Sequence, residues 1–183
     1  MKFRFLITLL LIFTFENGSK AQEKYEVRSG IISFFSSAPF EDIYAENNQI
    51  KSIIDLSTGE LAFVVPIPGF VFKKSLMQTH FNKKYLESYK FPTATFTGKL
   101  ITDSSFDKQG LNLVMVEGDL QIHGVRLKIK EAGQISFVKG EVMVTSEFKV
   151  RLKDFNIKIP RLVIKNIAEE VLVKINLTYT ELE

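Results

Sequence analysis

The chain of 183 residues has no cysteine, no tryptophan and only two histidines, and beyond its first residues it has almost no excess charge of either sign. Without thiols, disulfides, thiolate metal sites, cysteine nucleophiles and a lipid-modified N-terminal cysteine are all excluded. Two imidazoles, His80 and His123, leave little for metal binding or general-base chemistry. The formal charge of +3 is mostly a property of residues 1–21, where Lys2, Arg4 and Lys20 outnumber Glu16; the remaining 162 residues carry +1. Counterion release requires clustered Lys and Arg, so a near-neutral body argues against a nucleic-acid partner.

A long apolar run is also missing. The longest, Phe5 to Phe15, spans 11 residues, short of the roughly 20 that a helix needs to cross hydrocarbon. It follows Lys2 and Arg4 and precedes a polar stretch ending Ser19-Lys20-Ala21. This three-part layout reads as a secretory signal cut before Gln22, with small residues at the −3 and −1 positions. The expectation is an exported protein, periplasmic or secreted, with residues 22–183 as one domain.

What is abundant from Gln22 onward is alternation of period two, which places apolar residues on one face of a strand. Val142, Val144, Ser146, Phe148, Val150 and Leu152 alternate with polar or charged neighbours; so do Val125, Leu127 and Ile129, and Val171, Val173, Ile175, Leu177 and Tyr179. Strands with one wet face favour an antiparallel sheet. Further strands are expected at 25–36, 50–56, 61–67, 93–101, 111–122 and 134–139, rich in β-branched and aromatic residues. Asn47-Asn48, Thr58-Gly59, Gln109-Gly110, His123-Gly124, Ala132-Gly133 and Lys139-Gly140 supply residues that tolerate the positive φ of tight hairpins. The expected fold is all-β: eight or nine strands in a closed or nearly closed antiparallel meander.

One segment departs from this. Residues 73–89, KKSLMQTHFNKKYLESY, carry Met77, Phe81, Tyr85 and Tyr89 at successive i+4 positions, the stripe of an amphipathic helix. Phe91-Pro92 is expected to stop it. Lys73-Lys74 and Lys83-Lys84 read as a solvated face, with transient contact to anionic lipid headgroups as the alternative. Residues 154–161 read as a loop; 162–168 fit either an extended segment or a helical turn.

Catalytic patterns are weak. No nucleophile signature surrounds the serines, and no glycine-rich phosphate loop joins a strand to a helix. Glu117, Asp119 and His123 are close in sequence, but the two acids share a strand face while His123 lies at a turn, which is poor evidence for a metal site. Cofactor, metal and enzymatic activity are therefore not expected. The apolar inventory is more informative. Phe34, Phe63, Phe96, Met115, Ile122, Phe137, Val144, Phe148 and Ile175 are candidates for the inward face of a closed sheet, joined by Phe72, Met77 and Phe81 near the helix. An eight-stranded closure leaves an interior that side chains fill or that holds one small ligand. Composition does not separate a packed core from an apolar tunnel.

Three stretches carry a family resemblance. Residues 78–92, QTHFNKKYLESYKFP, followed by Thr93-Ala94-Thr95-Phe96-Thr97-Gly98, resemble the helix-to-strand segment of YceI-like proteins. Gly118 to Val125 resembles the family's G-x-L-x-I-x-G-V hairpin, and Phe148 to Ile157, FKVRLKDFNI, its penultimate-strand signature, with Asn156 where the family often has glycine. The resemblance implies an eight-stranded lipocalin-like barrel holding a polyisoprenoid or other long-chain lipid in a periplasmic protein without established catalysis. The alternatives are a structural or interaction barrel with a packed core, and a lipid-modifying enzyme using a histidine. Oligomeric state stays open, a homodimer included.

Overall fold

The computed structural model describes residues 23–102, 105–160 and 167–182. The expected leader at 1–21 and most of the undecided stretch 162–168 lie outside them. The strands are β1 (Lys24–Ser36), β2 (Ile43–Asn47), β3 (Lys51–Asp55), β4 (Glu60–Pro66), β5 (Val71–Phe72), β6 (Thr93–Ile101), β7 (Leu111–Ile122), β8 (Val125–Val138), β9 (Glu141–Arg151) and β10 (Glu170–Glu181), with one helix, α1 (Ser75–His80), between β5 and β6. All pairings are antiparallel, and β10 returns to pair with β1, closing the sheet. The short β2 and β5 extend the barrel strands β3 and β4 beyond a break. Thus β3 pairs with the start of β1 (Lys24↔Asp55) and β2 with its end (Ser36↔Ile43). The eight-stranded antiparallel barrel with one inserted helix that the alternation and the resemblance imply is the observed fold.

Asn47-Asn48 is not a hairpin. Asn47 is 1% exposed; its Nδ2 donates to Pro66 O at 2.7 Å and its Oδ1 accepts from Gln49 N at 2.7 Å. Its side-chain amide therefore satisfies backbone groups at both strand breaks, supplying the partners that burial demands. Ala132-Gly133 is not a turn either: β8 runs through it, paired with β7 from Leu111↔Ser136 to Ile122↔Val125. Gly133 faces the lumen, and an added Cβ there would meet only ordinary contacts, 3.4 Å from Thr145 O and 3.5 Å from a Val114 methyl, so neither a turn nor close packing requires this glycine. His123-Gly124 and Lys139-Gly140 are tight hairpins as expected, with all four residues at positive φ. Gly30, at φ +141°, lies just past the bulge in β1, and a Cβ there would sit 2.3 Å from Asn176 O.

The helix is shorter than 73–89. After α1 the chain widens into a π-helical turn, Phe81–Tyr85, and Glu87 takes φ +42°. The inserted residue breaks the i+4 stripe: Met77, Phe81 and Tyr85 stay half-buried, while Tyr89 is 78% exposed. The expected loop after β9 holds a 3-10 turn, Leu152–Phe155, ended by Asn156 at φ +56°. Asparagine is among the few non-glycine residues that tolerate this region.

Candidate functional site

The inward faces enclose a lumen of about 530 Å³, within the range of small-molecule sites. Its floor lies at the end with the Lys139-Gly140 hairpin. There Ile54, Ile135, Val142, Leu177 and Tyr179 are at most 1% exposed, and Tyr179 Oη shares a 2.7 Å hydrogen bond with Ser52 Oγ. Burial pushes the Tyr179 phenol far up, against the opposing effect of that hydrogen bond.

The opposite end is roofed by aromatic rings. Phe81, from the π turn, stacks on Phe34 with centroids 5.6 Å apart and meets Phe72 at 4.9 Å and Phe70 at 5.6 Å. Lys74, Leu76 and His80 of the helical segment, with Glu41 of the facing loop, line the same end; Lys74 forms an ion pair with Glu41. Burial raises the pKa of the Tyr85 phenol.

Ten of the twelve residues expected on the inward face line this lumen: Phe34, Phe63, Phe72, Met77, Phe81, Phe96, Ile122, Val144, Phe148 and Ile175. Met115 does not. It shares its strand face with Leu113 and Glu117 while Val114 and Val116 point inward, because the alternation in β7 runs on even numbers. Phe137 has the inward parity but sits past the floor, with Phe106 at 6.5 Å and the Lys108 ammonium 4.9 Å from its ring centroid. Phe96 reaches further than its position suggests: its ring lies over the paired Gly98 and Gly118, where added Cβ atoms would come within 2.6 and 2.7 Å of it.

Sequence reasoning missed two features. The first is a slit in the wall. The β8–β9 ladder runs only from Gly133↔Ser146 to Val138↔Glu141, although both strands continue, and a cleft of about 370 Å³ lies between residues 127–131 and 148–151. Ser146 Oγ donates to Ala132 O at 2.7 Å at one end of the slit. At the other, His123 Nδ1 donates to Phe155 O at 3.2 Å, and His123 Nε2 lies 2.9 Å from Glu87 Oε2. His123 thereby ties the β7–β8 hairpin to the turn after β9 and to the segment after the helix. Its hydrogen bond holds the Glu87 carboxyl below the ordinary carboxylate range.

The second is Glu131, a carboxyl on the inward face of β8 that lines both spaces. Desolvation raises its pKa. Its parity with Leu127, Ile129 and Ile135 was the available signal, obscured by reading Ala132-Gly133 as a turn. Glu117 forms an ion pair with Lys130 at 3.8 Å, and among the described residues no group of three or more His, Asp or Glu side chains converges to hold a metal.

A model of the YceI-like domain matches residues 26–179. Among solved structures, a polyisoprenoid-binding domain from Saccharophagus degradans implicated in plant cell wall breakdown superposes with a TM-score of 0.75 at 17% identity, over 86% of this chain and 98% of that one. BcnA of Burkholderia cenocepacia gives 0.70 at 16% identity, over 81% and 95%. A Campylobacter jejuni YCEI protein gives 0.59 at 15%, over 100% and 94%. No curated protein matches the chain. At these identities the solved structures speak for the fold, and the domain match, which spans most of the chain, speaks for descent: the protein belongs to the YceI-like domain family.

Proposed function

We infer that the protein is an exported binding protein that encloses one long apolar lipid, a polyisoprenoid or similar chain, and sequesters or carries it. The observation behind this reading is the lumen: an open space of about 530 Å³ whose lining is aliphatic and aromatic apart from a few hydroxyls, Glu131 and the polar residues at the helix end. Withdrawing a hydrocarbon tail from water contributes roughly 25 cal/mol per Å² of apolar surface, so such a lining retains a chain without a fixed set of polar contacts. The similarly folded domain named for polyisoprenoid binding agrees with it. The ten lining residues of the expected set are the proposed contacts, with Phe81 as the roof.

No catalytic role is assigned. His123 is engaged at both nitrogens in holding the fold together, and His80 stands at the mouth. The leader at 1–21 supports a periplasmic or secreted location, tested by N-terminal sequencing of protein recovered after export; Gln22 is the expected first residue. Lys73, Lys83 and Lys84, all exposed, suit transient contact with anionic headgroups during loading.

The test of binding is organic extraction of protein purified from its own host. A stoichiometric lipid is expected, and Phe148→Asp is expected to lower its yield while the circular dichroism of the barrel persists. A lipid-free preparation that takes up neither isoprenoid quinones nor prenyl alcohols would contradict the reading and favour a structural barrel.

A further inference from the structure

The slit and the lumen share five lining residues: Leu120, Ile129, Glu131, Phe148 and Val150. Four are apolar and one is a carboxylic acid, so the point where the lumen reaches the wall is also where a charged acceptor faces it. Glu131 has no hydrogen-bond donor and no cation beside it among the described residues. Lys128 and Lys130, just before it in the strand, occupy the exposed face of β8, and Lys130 is paired with Glu117. Across the slit, Lys149 and Arg151 are committed to Glu170, at 4.0 and 3.2 Å, and Asp154 adds a further negative charge to the rim. A half-buried carboxylate without a partner is costly, and a ligand that brings a donor recovers that cost.

We propose that Glu131 is the head-group acceptor of the lumen: a long-chain ligand ending in a neutral hydrogen-bond donor, an alcohol or primary amide, lays its tail along the barrel and its tip in the β8–β9 slit against the Glu131 carboxylate. Anionic tips, carboxylates and phosphates, are disfavoured there, because they would set a second negative charge against the Glu131 carboxylate. The inference rests on the reading of the lumen as a lipid site and adds the class of lipid.

The experiment is equilibrium binding of three ligands with one tail, geranylgeraniol, its methyl ether and geranylgeranyl diphosphate, to the delipidated protein and to Glu131→Leu and Glu131→Gln. In the wild type the alcohol is expected to bind about tenfold more tightly than the ether, the usual scale of a hydrogen bond to a charged group, and the diphosphate more weakly than either. Glu131→Leu should bring alcohol and ether to equal affinity. Glu131→Gln, which keeps an acceptor but loses the charge, should keep part of the preference for the alcohol and admit the diphosphate. Equal binding of alcohol and ether by the wild type, or a preference that survives Glu131→Leu, would overturn the head-group assignment and leave the lumen as a tail site. Failure of all three to bind would overturn the lipid reading itself. Should Glu131→Leu not fold, the wild-type ratio and the diphosphate response of Glu131→Gln still decide.

Discussion

The two ends of the barrel are built on opposite plans. Around the Lys139-Gly140 hairpin the inward positions carry aliphatic side chains and Tyr179 packed to near-zero exposure, with the one polar group answered by Ser52. Around the His123-Gly124 hairpin the lumen is wide, the wall between β8 and β9 parts, and closure is left to four phenylalanines and a short, irregular helical segment. One strand contributes to both: on β10, Leu177 is fully buried in the floor while Ile175, two residues away on the same face, borders the lumen. The contrast teaches that stability and capacity are separated along the barrel axis, so the cost of a substitution depends on its height in the barrel more than on its residue type.

That separation can be broken by experiment. The largest effect is expected from Leu177→Ala, which opens a cavity in a packed region and should cost about 2–5 kcal/mol, read from the denaturant midpoint at unchanged slope. Ile175→Ala should cost clearly less, since the removed atoms already faced open space, and should alter lipid uptake instead; equal losses at the two sites would refute the two-plan description. Tyr179→Phe comes next. It strands the buried Ser52 hydroxyl and should cost about 1–3 kcal/mol, most of it recovered in a background that also carries Ser52→Ala.

The smallest effects come from two carboxyls at the slit end, and they have opposite signs. Glu87 has a lowered folded-state pKa, caused chiefly by the His123 hydrogen bond. Its stabilising contribution is therefore present above the ordinary carboxylate range and is lost as pH falls through the lowered value. Glu131 has a raised pKa from desolvation, so its contribution is present below the ordinary range and is lost as pH rises through the raised value. Denaturation at neutral pH should find Glu87→Gln less stable and Glu131→Gln more stable than the wild type, with both differences shrinking as the solution is acidified toward the carboxylate range.

The barrel was legible in the sequence because each strand has one wet face: the parity of Val142 to Leu152 and of Val171 to Tyr179 fixes which side chains point inward whatever the strand order. The errors arose where one residue type serves two purposes. Gly133 reads as a turn residue yet lies inside a paired strand, facing the lumen, and Asn47 reads as a hairpin residue yet serves the backbone at two strand breaks. The i+4 stripe of Met77, Phe81, Tyr85 and Tyr89 could not reveal the π turn that displaces Tyr89. The slit was illegible because strand divergence is a tertiary event: Lys128, Lys149 and Arg151 alternate as well on an unpaired strand as on a paired one. Glu131 could have been found by extending the parity of β8 past Lys130.

The account stands on the lumen accepting a single apolar chain of limited length. Native mass spectrometry of the delipidated protein with a graded series of prenyl alcohols measures this directly. The expected result is one ligand per chain, with retention rising as the tail lengthens and then falling once the tail exceeds the space between the Tyr179 floor and the Phe81 roof. Absence of any adduct, or multiple adducts whose retention climbs steadily with chain length as for adsorption on an outer surface, would contradict it.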